Sequence, residues 1–205
     1  FLLIVLWALW QGWREAGWRE GIGSALFVMA VFACIVLHEL GHSLVARRYG
    51  IAAHTITLYP IGGVAGLSRL PQRPIQEIAI ALAGPAVSLC LGGLLLAARG
   101  GNLSFERLAR EGFSGLTGYL EALAVSNFIL AAFNLIPAFP MDGGRVLRAV
   151  LTWVVGYERA TAIAAWAGQV FAAGFVAVGW EIGSPFLMVL GIFLIVLARR
   201  EARWV

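Results

Sequence analysis

Charged residues are scarce in this chain, and lysine is missing altogether. Charged side chains make up 13% of the 205 residues, and all 15 basic side chains are arginine. A soluble domain carries about 25% charged residues, so the composition excludes an ordinary soluble fold. The arginines are scattered, and nothing in their pattern implies nucleic-acid binding. The two cysteines, Cys34 and Cys90, lie within apolar segments, so we expect small core residues rather than a disulfide.

Apolar residues dominate the rest of the chain. Hydrophobic residues make up 60% of it and its mean hydropathy is +0.86, against about 45–50% apolar residues in soluble domains. The sequence therefore predicts an all-α polytopic membrane protein, with residues 1–205 forming a single domain of about six transmembrane helices. A first helix, expected to be cut because the chain opens inside an apolar run, ends near Trp10, and an interfacial turn follows over 11–20. The other spans are predicted at about 22–46, 75–98, 119 to the breaks at Pro137 and Pro140, 160–180 and 185–197.

Residues 51–70 do not have the pattern of a helix. The segment 55–59 is rich in β-formers, and Pro60, Gly62, Gly63 and Gly66 break any helical periodicity. Because the segment is mostly apolar, its backbone must be buried in protein or line a wet cavity. We expect a small membrane-embedded β-hairpin after the second helix, with an edge that can pair with a guest strand. The alternative is a plain surface loop.

The apolar second span contains His38-Glu39-Leu40-Gly41-His42. Residues i and i+4 share a helix face, so both imidazoles can bind one metal ion. The adjacent Glu39 can act as general base for a water activated by zinc. Two alternatives remain open: a pair of hydrogen-bonded core histidines, and Cys34 as a further ligand one turn before His38. Ionisable groups at membrane depth are costly, which favours the metal site.

A catalytic zinc takes three protein ligands, so one more is needed. The chain has a single aspartate, Asp142, in a segment where Pro137, Pro140, Gly143 and Gly144 free the backbone. A nearby dication would keep its carboxylate ionised. The alternative is that Asp142 only forms a turn with Gly143.

Four motifs in order resemble the site-2 protease family of intramembrane zinc metalloproteases. They are the histidine motif, Pro-Ile-Gly-Gly-Val-Ala at 60–65, Ala-Gly-Pro-Ala at 83–86, and the segment from Asn134 to Arg145. The resemblance implies one Zn²⁺ per chain bound by His38, His42 and Asp142, with Glu39 as general base. It also implies that Asn134 holds substrate or the oxyanion, and that the loop with Gly62, Gly63 and Val64 lines the substrate cleft. Members of the compact six-helix branch often carry cytoplasmic CBS domains, and two alternatives stay open here: a CBS pair after residue 205 if the full-length chain continues, or none.

The sequence therefore predicts hydrolysis of peptide bonds in single-pass or other membrane-spanning proteins. A membrane metal transporter and an inactive protease-like scaffold are the alternatives. Predicted spans place ten arginines on one side of the membrane and five on the other, so the active site is expected toward the cytoplasmic side of the cell membrane. Membrane lipid and a second copy of the chain are further expected partners, and nucleic acid is not.

Overall fold

A computed structural model describes residues 2–51, 53–59, 62–67, 73–101 and 115–202 of the chain. For 53–59, 62–67 and 200–202 the description covers the backbone but not the side chains. Seven helices and two strands lie in these ranges. In chain order they are α1 (Leu2–Ala16), α2 (Trp18–Arg48), β1 (Ala53–Tyr59), β2 (Gly62–Leu67), α3 (Pro74–Ala98), α4 (Gly115–Asn134), α5 (Asp142–Val155), α6 (Tyr157–Glu181) and α7 (Pro185–Ala202).

Four of the described helices are long and apolar enough to cross a membrane: α2, α3, α4 and α6. The apolar part of α7, Pro185–Arg199, is shorter. The ends of α2 and α4 fall close to the predicted ones. The long apolar helices agree with the prediction of a polytopic helical membrane protein. The irregular stretch predicted around Pro137 and Pro140 is also confirmed, because α4 ends at Asn134 and turns follow.

Two predictions about local structure were wrong. The first helix does not end near Trp10 but continues to Ala16, since the polar residues after Trp10 are compatible with a helix. The break is confined to Gly17, whose φ of 92° is readily adopted only by glycine. The second error is an omission: Asp142, Gly143 and Gly144 begin the 14-residue helix α5, which was not predicted.

Contacts divide the chain into two compact units. The first contains Phe1–Ser68 and Ala86–Ala131. In it α1 packs on α2, with Gly12 and Gly21 at the crossing, where an added Cβ would collide with the facing backbone. β1 and β2 pair antiparallel, with Thr57 opposite Val64 and Leu58 opposite Gly63, and both strands contact α2.

The second unit contains Arg69–Pro85 and Ala132–Val205. Here α6 packs against both α5 and α7. One buried apolar cluster joins Phe139 to Ala164, Ala165 and Ala198, and another joins Met141 to Ala172 and Leu194. The segment between α4 and α5 is therefore anchored in the core of this unit by its own side chains.

Candidate metal centre

The two histidines of the motif lie together on α2. The centroids of the His38 and His42 rings are 4.9 Å apart and the rings are nearly perpendicular, at 75°. The side chains are 2% and 4% exposed, and Glu39 between them is 8% exposed. One turn of helix explains this arrangement, since residues four apart lie above one another. The predicted juxtaposition of His38 and His42 is confirmed.

The ring of His38 lies within hydrogen-bonding distance of a residue of α3. Its Nδ1 lies 2.9 Å from the Ser88 Oγ, and Ser88 is completely buried. When Nδ1 carries the proton and donates it to Ser88, Nε2 is left as the lone-pair donor for a metal ion. Sequence reasoning missed Ser88. The available signal was a hydroxyl in an otherwise apolar span, two residues after the Ala-Gly-Pro-Ala motif.

Asp142 is the first residue of α5 and is 7% exposed. A carboxylate is stabilised at a helix N-terminus by the unpaired backbone N–H groups and the helix dipole. The two glycines after it allow the helix to press against the preceding turn. A Cβ on Gly143 would collide with the carbonyls of Leu135 and Ile136, and one on Gly144 with the backbone at Ala138 and Phe139. The local sequence therefore fixes a buried carboxylate at the start of a helix, rather than a simple turn.

The predicted substrate residues occupy two places. Asn134 is the last residue of α4, is half-buried, and takes part in an interaction within the protein. Gly62, Gly63 and Val64 lie in β2, where they pair with Tyr59, Leu58 and Thr57. Their side chains lie outside the described part of the structure, as do residues 60 and 61.

The donor atoms fit a zinc ion. Among the described residues, each unit contributes donors of the right kind: His38 and His42 on α2 in the first unit, and Asp142 at the start of α5 in the second. Two imidazole nitrogens and a carboxylate oxygen, with a fourth position left for water, form the donor set of a catalytic zinc. Cys34 is buried one turn before His38 but is not among these donors.

Comparison with known proteins agrees with this chemistry. The family model for peptidase family M50 matches residues 26–110 and 100–178. Zinc metalloprotease MJ0392 of Methanocaldococcus jannaschii is 40% identical over 183 residues, covering 88% of this chain and 50% of the relative. The putative zinc metalloprotease Rip3 of Mycobacterium tuberculosis is 35% identical over 192 residues, covering 90% of this chain and 47% of the relative. The chain thus spans about half the length of these relatives.

A solved structure is similar over the whole chain. The site-2 protease from Methanocaldococcus jannaschii superimposes with a TM-score of 0.75 at 35% identity, covering 100% of this chain and 88% of that one. Stage IV sporulation protein FB of Bacillus subtilis is a more distant relative, 24% identical over 141 residues, covering 67% of this chain and 44% of that protein. The donor set and the relatives together identify Zn²⁺ as the cofactor, and the chain belongs to peptidase family M50, the site-2 protease family.

Proposed function

We propose that this chain is the catalytic part of an intramembrane zinc metalloprotease that hydrolyses peptide bonds of membrane-spanning proteins. The observation that carries the proposal is the burial of His38, Glu39 and His42 on a 31-residue helix apolar enough to cross a membrane. Such a cluster is costly in an apolar environment unless it has a chemical role. Membership of peptidase family M50 indicates that this role is zinc-dependent peptide hydrolysis.

We propose His38, His42 and Asp142 as the ligands of one zinc ion, and Glu39 as the general base. Zinc, when bound, would supply Lewis-acid chemistry that activates water and polarises a peptide carbonyl. With three ligands supplied by His38, His42 and Asp142, Glu39 is not needed as a ligand, and we assign its carboxylate to proton transfer. It would accept a proton from the attacking water and pass it to the leaving amine nitrogen.

The substrate is proposed to bind as an added strand. The described sheet has only the two strands β1 and β2, and both contact the helix that carries the motif. A guest strand pairing along β2 at Gly62, Gly63 and Val64 would offset the hydrogen bonds lost when a transmembrane helix unwinds. Glycines permit another backbone to approach closely. Asn134, where α4 ends, is proposed to hold the substrate or the developing oxyanion.

We also propose how the chain is arranged in the membrane. The four long apolar helices, together with α1 and α7, account for six spans, and the β1–β2 hairpin would lie within the membrane beside them. The excess of arginine on one side supports a multi-pass protein of the cell membrane with the active site toward the cytoplasm. A single domain, a homodimer and attached CBS domains remain predictions.

Replacing Glu39 by glutamine tests the proposal. We expect Glu39→Gln to bind one zinc per chain, as the wild type does, and to lose cleavage of a single-pass membrane substrate in detergent or vesicles. Glu158→Gln, an equal change at an exposed residue of α6, is the matched control and should cleave normally.

The other possible outcomes would contradict the mechanism or identify a different function. Cleavage by Glu39→Gln at the wild-type rate would contradict the mechanism. A wild type that binds zinc but cleaves nothing would be an inactive scaffold. Zinc uptake into sealed vesicles without cleavage would identify the metal transporter.

A further inference from the structure

A buried ion pair lies beside the segment that carries Asp142. Arg148 of α5 is 3% exposed and Glu77, in the first turn of α3, is 5% exposed. The Arg148 Nε donates to the Glu77 Oε1 at 2.8 Å, and Nη2 donates to the same oxygen. Both residues belong to the second unit. Because neither charge is exposed, each offsets part of the other's desolvation cost, and removing one partner alone would leave a buried unpaired charge.

The guanidinium of Arg148 also contacts two aromatic rings. Its Cζ is 5.0 Å from the centre of the Phe139 ring and 5.1 Å from that of Tyr157. Both distances are within the range of a cation–π contact, and burial strengthens such contacts. Tyr157 begins α6, whereas Phe139 lies three residues before Asp142. Arg148 thus connects the starts of α3 and α6 to the turn between α4 and α5.

Phe139 is held on its backbone side as well. Its N–H donates to the Ala164 carbonyl of α6 at 3.2 Å. A Cβ on Gly168, one turn later, would collide with the Phe139 carbonyl. Phe139 is therefore fixed by α6 through its backbone and by Arg148 through its ring. Because Phe139 is fixed through both its backbone and its ring, Pro140 and Met141, the two residues that connect it to Asp142, have little freedom.

We propose that Arg148, oriented by Glu77, is a positioning residue that fixes the turn 135–141 and thereby aims the Asp142 carboxylate at the metal ion. We call Glu77, Arg148, Phe139 and Tyr157 the arginine clamp. The inference rests on the proposed ligand set and adds residues outside that set. Arginine suits the role because its planar group can donate in a fork and stack on rings at the same time, which lysine cannot.

The chain provides its own matched control. Arg99 and Glu121 form a second buried ion pair, with a 2.8 Å contact and side chains 4% and 2% exposed. Arg99 follows α3, eleven residues after Ser88, which is roughly 16 Å along a helix axis. This pair resembles the clamp in charge and burial, and it belongs to the first unit, whereas the Asp142 turn belongs to the second. A purely structural ion pair and a positioning one can therefore be compared within one protein.

The test replaces each pair completely, so that no charge is left buried alone. Double replacement by apolar residues of similar size is often tolerated. We would compare Glu77→Leu/Arg148→Met with Arg99→Met/Glu121→Leu, and verify folding of both by thermal unfolding in detergent. Zinc affinity is measured by competition with a chelator, and hydrogen exchange of residues 135–145 is followed in the metal-free protein.

For the clamp variant we expect zinc affinity to fall about 10–100-fold, as for other residues that orient metal ligands. Exchange at the Phe139 amide should be about tenfold faster or more, because the contacts that hold the turn are gone. Turnover should fall with KM unchanged, since the substrate-binding strand is untouched. Arg148→Lys keeps the positive charge but loses the forked hydrogen bonding and the stacking. Its zinc affinity and its exchange at the Phe139 amide should therefore not return to the wild-type values. The control pair should leave zinc affinity and exchange at the turn as in the wild type.

Unchanged exchange in the clamp variant would overturn the proposal, as would an equal loss of zinc affinity in both double variants. The exchange readout needs no metal, so it separates this inference from the proposed function. If the wild type bound no zinc while the exchange results came out as expected, the zinc protease assignment would fail and the role of Arg148 in holding the turn would stand.

Discussion

Replacing Ser88 by alanine removes one hydroxyl from behind His38 and should weaken zinc binding about 10–100-fold. The perturbation is small in volume and lies on a different helix from both histidines. In the wild type the His38 Nδ1 and Ser88 Oγ are 2.9 Å apart, with the residues 2% and 0% exposed. The alanine variant loses this contact in a place that bulk water does not reach.

The magnitude follows from that burial. A hydrogen bond lost between exposed partners costs about 0.5–1.5 kcal/mol, whereas a buried donor deprived of its acceptor costs about 1–3 kcal/mol. Since each 1.4 kcal/mol is about a factor of ten in affinity, the second range corresponds to roughly 5–150-fold. This range overlaps the effect expected of residues that orient metal ligands. Burial decides which range applies, and here both atoms belong to buried residues.

The assay is competition for zinc with a chelator of known affinity, on purified protein in detergent. Ser126→Ala is the matched control, because the Ser126 hydroxyl donates to the Ala122 carbonyl of its own helix at 2.8 Å and not to a histidine. It should leave zinc affinity within about twofold of the wild type, since such local hydrogen bonds contribute little. Equal affinities for the Ser88→Ala and wild-type proteins would refute the reasoning that Ser88 orients His38.

Three further predictions concern substrate binding and the turn before Asp142. Asn134→Ala should reduce kcat by about 10²–10³-fold if it serves the oxyanion, with zinc retained, and an unchanged kcat would give it a structural role. Gly63→Val should block cleavage without loss of zinc, and crosslinks between residues 57–66 and the substrate's cleavage region would support strand addition, whereas crosslinks formed only to α7 would contradict it. Gly168→Ala should destabilise the protein by about 1–3 kcal/mol in thermal unfolding, because its Cβ would meet the Phe139 carbonyl. Gly174→Ala, on the same helix with open space around it, is the control and should not.

The parts of the site that depend on local geometry could be predicted from the sequence. The spacing of His38 and His42 fixes their common face as soon as the segment is helical, and a long apolar run makes it helical. The break after Asn134 was equally local, since Pro137 and Pro140 cannot continue a helix. The Asp142 position was inferred from the same break and from its being the single aspartate.

The parts that depend on tertiary packing were missed. Ser88 acquires its role only where α3 meets α2, and nothing within α3 itself indicates a histidine neighbour. Helix α5 was overlooked because Gly143 and Gly144 are poor helix formers and its arginines interrupt the apolar pattern. In the folded protein, those glycines permit contact with the preceding turn and Arg148 is neutralised by Glu77. Both features reflect contacts between distant segments, which outweigh local propensity.

X-ray absorption at the zinc edge tests the central claim most directly, because it reports the atoms bound to the metal. We predict about one zinc per chain, with nitrogen and oxygen neighbours at about 2.0–2.1 Å, the signature of two imidazoles and no sulfur. The Asp142→Ala variant should lose most of its zinc. A sulfur neighbour at about 2.3 Å would place a cysteine such as Cys34 in the site. That result, or full zinc content with an unchanged spectrum in Asp142→Ala, would contradict the ligand set of His38, His42 and Asp142.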